Sequence, residues 1–460
     1  MSTFSGKQLA EWSGGTWAPA CPDCVEGVSN DTRTISRGNI YFAIRGNNFD
    51  GHDFVKAAFD KGACGAVVDK AWKVMLPAGQ PLLQVDDTGK ALRDIASAYR
   101  RHIGLEVIAV TGSAGKSTVK EMTASILSGS VPTASTRGNW NNAIGLPLSL
   151  LSMDKSSRVG VFELGMNHPG EIAGLCDVLR PNWGIITNVG PVHIEFFGSE
   201  EAIANEKAAL LKSLPRDGVA VFCADGDYSG LFRSLSPARV ITVSAAGDAD
   251  YRCIRREQTK REVVINEKKT GDNFIFRPVL PGVYNVINAM FAIAVARTYG
   301  IGWDQIRTGL ESYVPLPMRW EKKEIRGIKV INDAYNANPL SMRAAIQTFS
   351  EEDIKGGKWL VLSGMLELGE WEAEEHVSLG GFAGSRSWEG IVVVGKLGEY
   401  IAKGVEDGGF EKGRLFRCRN NSEAATLIAG KVKRGDAVFL KASRGMHLEE
   451  VLEKLQKQED

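Results

Sequence analysis

The sequence contains no run of about 18 apolar residues, the length an α-helix needs to cross a bilayer, so no membrane-spanning helix is expected. Its opening stretch, MSTFSGKQLAEWSGG, lacks the basic segment and apolar run of a secretory signal. A cytoplasmic location is the expectation. Cysteine is scarce, at seven in 460 residues, and an odd, sparse count excludes a disulfide framework. Only Cys21 and Cys24 form a CxxC pair, and the next cysteine is Cys64, so the pair reads as two reduced thiols in a loop. Net charge is missing as well, since 55 Lys and Arg face 55 Asp and Glu. Such a chain has no global field to gather nucleic acid or an anionic membrane, and an anionic ligand must be held by a local site. There is no internal repeat and no low-complexity tract.

What remains is an ordinary globular composition, 43% hydrophobic and 24% charged, in a chain long enough for about three domains. Short alternations broken by Gly and Asp up to about residue 85 read as a small α/β unit. The segment from Val85 to Arg101 carries Leu92, Ile95, Ala96 and Tyr99 at helical spacing and reads as a bridge to the next unit. From Leu105 onward, strand, turn and helix alternate: EVIAV before STVKEMTASIL, RVGVFEL before GEIAGLCDVLR, NWGIITNVG before SEEAIANEKAALLKSL. That alternation predicts a mostly parallel sheet covered on both faces. Residues 239–278 read as an antiparallel, solvated edge, followed by a helix stopped at Gly300. After Pro315 and Pro317 a second βα series begins, with GIKVINDAYNANP, WLVLSG, IVVVGK and DAVFLKAS as strands. The expected fold is α/β in three domains: a small α/β unit at 1–85, a central unit with a mostly parallel sheet at 86–315 and a second doubly wound unit at 316–460.

The sharpest local signal is EVIAVTGSAGKST. Gly112 and Gly115 let backbone N–H groups approach a phosphate, and the helix that follows offers its positive end. Lys116 supplies a charge for the outer phosphates and Ser117 a hydroxyl for magnesium. Val110 stands where the longer GxxxxGK[ST] pattern has its first glycine, so the loop is a shortened one. Glu163 closes the strand RVGVFE and His193 follows GIITNV, which places both at the carboxyl edge of the sheet. Either taken alone has an everyday reading, a solvated carboxylate or a structural histidine. Lys207 falls on the apolar stripe of its own helix, with Ile203, Leu210, Leu211 and Leu214, behind Ser199 as N-cap. Its amine either snorkels to the surface or is desolvated and neutral, able to add carbon dioxide and become an anionic carbamate ligand.

Together these segments resemble the Mur ligases, the ATP-dependent amino-acid and peptide ligases of peptidoglycan synthesis. The similarity runs through DTRTISRGNIYFAIRGNNFDGHDFV, TGSAGKSTVKEM, GNWNNAIGLPLSLL, ELGMNHPGEI, TNVGPVHIEFFGS, PMRWE, NDAYNANPLSMRAAI, MLELGE and KASRGMHLEEV, in that order. The resemblance implies a uridine-nucleotide-binding N-terminal domain, a central P-loop ATPase domain and a Rossmann-like C-terminal domain, which together carry out ATP-dependent ligation of D-alanyl-D-alanine to UDP-N-acetylmuramoyl-tripeptide through an acyl phosphate; a monomer is the expectation. It also implies ATP phosphates held by Gly112, Ser113, Ala114, Gly115, Lys116, Ser117 and Thr118, with Asn285 and Asn288 near the adenine. Arg319 and Asp333 would reach ATP from the C-terminal domain as that domain swings in. One magnesium would sit on Ser117 and Glu163, and a second on His193 and Lys207 as its carbamate. Lys116, Lys207, His193 and Arg319 are the implied catalytic set. Asn139, Asn141 and Asn142 would contact the muramoyl peptide, and Ser29, Asp31, Arg33, Arg45 and Gly46 the uridine nucleotide. Ser443 and Arg444 are candidates for the dipeptide carboxylate. Tyr284, Thr32, Ala442 and Cys223 depart from the family's usual His, Ser, Gly and Asn. The alternatives are a ligase of the same family that adds a free diamino acid, a folylpolyglutamate-type ligase, and a binding protein gated by nucleotide.

Overall fold

The computed structural model describes residues 3–46, 49–73, 79–257 and 261–457. Asn47 and Asn48 of the first family segment, and residues 258–260 of the charged edge, lie outside the described residues.

Three sheets organise the chain. The first holds β1 (Thr16–Ala18), β2 (Val28–Ser29), β3 (Ile40–Phe42), β4 (Gly65–Asp69) and β5 (Leu82–Val85) in the order β1-β5-β4-β3-β2. All its pairings are parallel except β1 with β5. The helix Thr88–His102 then packs on the helices Gly6–Ser13, Gly145–Leu151 and Glu171–Leu179, so it bridges the first sheet to the second. Its apolar face explains the bridge: Leu92, Ile95, Ala96 and Tyr99 are all buried.

The second sheet contains β6 (Glu106–Thr111), β7 (Thr133–Ser135), β8 (Val159–Glu163), β9 (Trp183–Ile186), β10 (Val219–Cys223), β11 (Arg239–Ser244), β12 (Tyr251–Glu257), β13 (Glu262–Glu267) and β14 (Asn273–Phe276). Its order is β14-β13-β12-β11-β10-β9-β6-β8-β7. The strands β6, β8, β9 and β10 are nearly continuous apolar runs buried on both faces, the pattern of a covered parallel sheet. One sequence expectation needs correcting here. The edge from residue 239 is not antiparallel throughout, because β11 pairs parallel with both β10 and β12, and antiparallel pairing begins only at β12 with β13. Alternating charges on β12 report its exposed face, and exposure carries no information about strand direction.

The helix Val283–Thr298 is apolar almost all round and is sandwiched between the sheet and the helix Lys116–Ser128. The following helix, Trp303–Glu311, also packs on Lys116–Ser128, closely enough at Gly309 that an added Cβ would collide with the backbone of Ile126. The third sheet, β15 (Glu321–Ile325), β16 (Ile328–Asn332), β17 (Lys358–Leu362), β18 (Gly390–Val394), β19 (Leu415–Cys418) and β20 (Ala437–Lys441), is ordered β15-β16-β20-β17-β18-β19. Only β15 runs antiparallel to its neighbour.

An aromatic stack anchors this third unit. Phe349 lies 5.2 Å from Phe439 and 5.7 Å from Trp388, ring to ring, and Trp320 lies 5.3 Å from Phe439. Removing the central ring leaves a cavity that its stacked neighbours cannot fill. Phe349→Ala is therefore expected to cost about 3–5 kcal/mol of stability, seen in denaturant unfolding as an early transition of the C-terminal unit. An unchanged unfolding curve would show that the stack does not hold this unit together.

Candidate active site

Strand register decides the geometry of the site. β6 pairs in parallel with β8, Val110 opposite Glu163, and with β9, Thr111 opposite Ile186. Three segments therefore leave the sheet side by side: the glycine loop, the residue Glu163, and the stretch beginning at Thr187.

The glycine loop is braced from that third segment. Asn188 accepts from the amide of Ser113 through its carbonyl (3.1 Å) and from the amide of Ala114 through its side chain (2.9 Å). Ser113 Oγ donates to the carbonyl of Gly190 (3.0 Å). Gly112 and Gly115 adopt φ of 150° and 83°. A Cβ at Gly112 would run into Thr187 Oγ1, and one at Gly115 would meet Asn288 Oδ1 at 2.5 Å, so both positions demand glycine for space as well as conformation. The helix Lys116–Ser128 starts directly from Gly115 with no side-chain cap. Its first amides are left for an anion. Lys116 Nζ folds back to the carbonyl of Gly112 at 2.8 Å. Desolvation pushes its pKa down, with Glu163 pulling it up and Arg319 adding to the depression.

Glu163 is buried and fully engaged. Its two oxygens accept from Ser117 Oγ (2.6 Å) and Asn141 Nδ2 (2.8 Å). Lys207 is 1% exposed, so of the two outcomes open to it the structure has burial. The rest of its stripe (Ile203, Leu210, Leu211, Leu214) is buried with it. The contact made by its Nζ is the thioether of Met166, at 3.8 Å, a weak acceptor for an ammonium. Desolvation, reinforced by the charge of Lys116, holds its pKa well below the usual lysine range, against a smaller pull from Glu206. The amine is thus poised toward its neutral form.

A cavity of about 860 Å³ lies over these elements. It is lined by Ser113, Ala114, Gly115, Lys116, Ser117, Thr118, Asn139, Asn141, Asn142, Glu163, His193, Asn285, Asn288, Arg319 and Asp333. Other residues singled out from the sequence sit elsewhere. Gly112 and Lys207 are behind the wall. Ser29 ends β2, and Asp31, Arg33, Arg45 and Gly46 lie in the segments that follow β2 and β3, all outside the cavity. There the parallel pair β2 and β3 brings Ser29 and the turn after Phe42 to one edge. Asp31 pairs with Arg33 at 2.8 Å, while Arg45 bridges Asp50 (3.1 Å) and Asp69 (3.0 Å). Among the described residues no group of three His, Cys, Asp or Glu side chains could hold a metal ion. Of the four metal positions read from the sequence, Ser117 and Glu163 meet directly at 2.6 Å, whereas His193 faces Glu367 and Lys207 faces the thioether of Met166.

The C-terminal unit closes the cavity. Arg319 donates to Ser117 Oγ (3.0 Å) and stacks on Tyr335, 4.3 Å from its ring centre. Asp333 is held by Lys441 Nζ (2.6 Å) and by the amide of Trp320 (3.0 Å). Asn338 Nδ2 donates to the carbonyl of Ser113 (3.3 Å). His193, at φ 56°, pairs through Nδ1 with Glu367 (2.5 Å), whose carboxyl is held down chiefly by that contact. Sequence reasoning missed Tyr335, Asn338, Glu367 and Lys441. They sit in the segments NDAYNANP, MLELGE and KASRG, so their neighbourhoods stood out; their partners lie on other strands and could not be read. Asn285 and Asn288 are buried, Asn288 donating to Asn285 Oδ1 at 3.2 Å. Tyr284 beside them has its hydroxyl pKa raised well above the normal range by desolvation, with the charge of Asp333 adding to it.

Comparison with known proteins agrees with this geometry. Residues 25–100 match the model "Mur ligase family, catalytic domain", 110–296 "Mur ligase middle domain" and 318–444 "Mur ligase, glutamate ligase domain". The chain is 36% identical to the UDP-N-acetylmuramoyl-tripeptide–D-alanyl-D-alanine ligase of Bacillus subtilis (strain 168), over 98% of this chain and 97% of that protein. It is 33% identical to the protein of the same name from Escherichia coli (strain K12), over 94% of each. Among solved structures it superimposes on MurF from Acinetobacter baumannii with a TM-score of 0.90, 28% identity and 99% coverage of both chains. It also superimposes on the MurF ligase of Thermotoga maritima in complex with ADP, with a TM-score of 0.82, 26% identity and coverage of 94% and 98%. The chain belongs to the Mur ligase family.

Proposed function

We propose that this protein joins D-alanyl-D-alanine to UDP-N-acetylmuramoyl-tripeptide at the expense of ATP. The observation that carries the reading is the cavity itself. A glycine loop and helix start built for phosphate face a carboxylate, Glu163, with a second lysine buried behind them. Relatives that cover nearly the whole chain bear the name of that activity, and a structural neighbour was solved with ADP.

In this reading the unit 1–85 takes the uridine nucleotide through Ser29, Asp31, Arg33, Arg45 and Gly46. The unit 86–315 takes ATP on residues 112–118, with Asn285 and Asn288 beside the adenine, and the unit 316–460 brings Arg319 and Asp333 to it. Asn139, Asn141 and Asn142 present the peptide. A carboxylate is a poor acylating agent at neutral pH, so one of its oxygens first attacks the γ-phosphorus and ADP leaves. The dipeptide amine then attacks the acyl carbon of the acyl phosphate, and phosphate departs. Lys116 and Arg319 offset the charge that accumulates on the transferring group, where positioning and electrostatics do most of the work.

Ser117 and Glu163 are a hard-oxygen pair that fits magnesium. His193 and Lys207 fit a second ion only with Lys207 as its carbamate, and a buried amine with a depressed pKa and a thioether neighbour is the state that adds carbon dioxide. Bound magnesium would supply Lewis-acid neutralisation of the phosphates.

Three outcomes test the reading. In a coupled assay with ATP, the muramoyl tripeptide and D-alanyl-D-alanine, phosphate release should require the dipeptide; release indifferent to it would favour a nucleotide-gated binding protein. Lys207→Ala should abolish ligation, with partial return on adding short-chain carboxylic acids. Return with simple amines instead would count against the carbamate. Lys116→Ala should lower kcat by about 10²–10³-fold in single-turnover measurements, and normal turnover would remove the phosphate-loop assignment.

A further inference from the structure

One charged side chain of the central unit takes no part in the chemistry described above and never reaches water. Lys120, on the helix Lys116–Ser128, is 0% exposed. It follows Lys116 by four residues and Ser117 by three, so it lies one turn further along on the same side of the helix. Its Nζ donates to the carbonyl of Thr136 (2.7 Å) and pairs with the partly exposed Glu121 (2.8 Å). A buried ammonium is costly even when paired, and an apolar side chain of similar volume often serves stability as well or better. Core packing alone gives no reason for a lysine here.

The residue it holds supplies the reason. Thr136 is the first residue beyond β7, whose parallel pairing with β8 runs from Thr133 opposite Val159 to Ser135 opposite Val161. Thr136 carries the connection one residue further. Its amide donates to the carbonyl of Val161 (3.0 Å), and its hydroxyl accepts from the amide of Glu163 (2.9 Å). Its carbonyl is taken by Lys120. Past Thr136 the chain leaves the sheet for the stretch that holds Asn139, Asn141 and Asn142. That stretch returns to the same carboxylate: Asn141 donates to Glu163 Oε1 (2.8 Å), and its carbonyl accepts from the amide of Gly165 (2.9 Å). One buried cation thus fastens the point where the asparagine loop departs, and the residue it fastens holds Glu163 by its backbone.

We propose that Lys120 is a positioning residue for the ligation reaction assigned above, on which this inference rests. Acting through Thr136, it holds the carboxylate of Glu163 against Ser117 and sets the loop 137–142 where it presents the acyl-donor peptide. Without the ammonium, the Thr136 carbonyl is left in the interior with no donor, and the peptide unit 136–137 turns to find one. The Glu163 amide and the asparagine loop move with it. The glycine loop is braced separately, from Asn188 and Gly190, and stays in place. Nucleotide binding is therefore spared while peptide binding and turnover fall.

Lys120→Met keeps the length of the side chain, removes its charge and leaves Glu121 free to turn to solvent. Its thermal unfolding should stay within about 3 °C of wild type, and its calorimetric affinity for ADP, measured without divalent ion, should be unchanged. Affinity for the UDP-N-acetylmuramoyl tripeptide and kcat of ligation should each fall about tenfold, the scale of one hydrogen bond to a charged group, with KM for D-alanyl-D-alanine unchanged. Thr136→Val should reproduce that split and Thr136→Ser should recover most of it. Lys120→Met combined with Thr136→Val should lose less than the product of the single effects, because both break one connection. Wild-type turnover and tripeptide affinity in Lys120→Met, or loss of ADP and tripeptide affinity in step with earlier unfolding, would overturn the assignment. Should Lys120→Met fail to fold, equal behaviour of Thr136→Val and Thr136→Ser would overturn it instead. A wild-type protein that binds the tripeptide without ligating it would remove the proposed reaction, and the variants' tripeptide affinities would still decide the positioning role. No tripeptide binding at all would remove both.

Discussion

Parallel pairing of β6 with β8 and β9 aligns Val110 with Glu163 and Thr111 with Ile186, and almost everything chemical in this molecule depends on that alignment. Backbone amides aimed inward bind phosphate only if the loop carrying them is rigid, and this loop is rigid because Asn188 and Gly190, on the neighbouring strand's exit, hold its Ser113 and Ala114. The same register sets Glu163 against Ser117. A slip of one residue would turn Glu163 to the opposite face of the sheet and leave Ser117 without its partner.

Burial has a second role behind that loop. A lysine amine shut away from water, with a thioether beside it and another lysine nearby, carries a standing penalty on its charge. Its helix tolerates this because the rest of the stripe is apolar and fully packed. The neighbouring Glu206 meanwhile accepts from the amides of Gly170 and Ile172 at the start of the helix Glu171–Leu179. The position is therefore structurally well supported while chemically unsatisfied, a combination typical of residues kept for reactivity.

The third unit completes the site by contact across the cavity. Arg319 on Ser117, Asn338 on Ser113 and His193 with Glu367 all join segments far apart in sequence. Asp333, read from the sequence as reaching ATP, is engaged here by Lys441 and the amide of Trp320. Those contacts fix the turn that carries Arg319, where Met318 and Trp320 both have positive φ.

What the sequence determined by itself was local. The glycine loop, the alternation of strand and helix, the N-cap at Ser199 and the position of Lys207 on its stripe are all written in near-neighbour spacing, since helix and strand periods are short-range properties. Tertiary structure decided what spacing cannot encode. It buried Lys207 rather than letting the amine snorkel, since that outcome depends on what packs against the stripe. It turned β11 and β12 into a parallel continuation of the sheet, because strand direction follows from the crossover and not from the alternation of side chains. It also brought Tyr335, Glu367 and Lys441 to the cavity, since such partners meet only when distant segments pack.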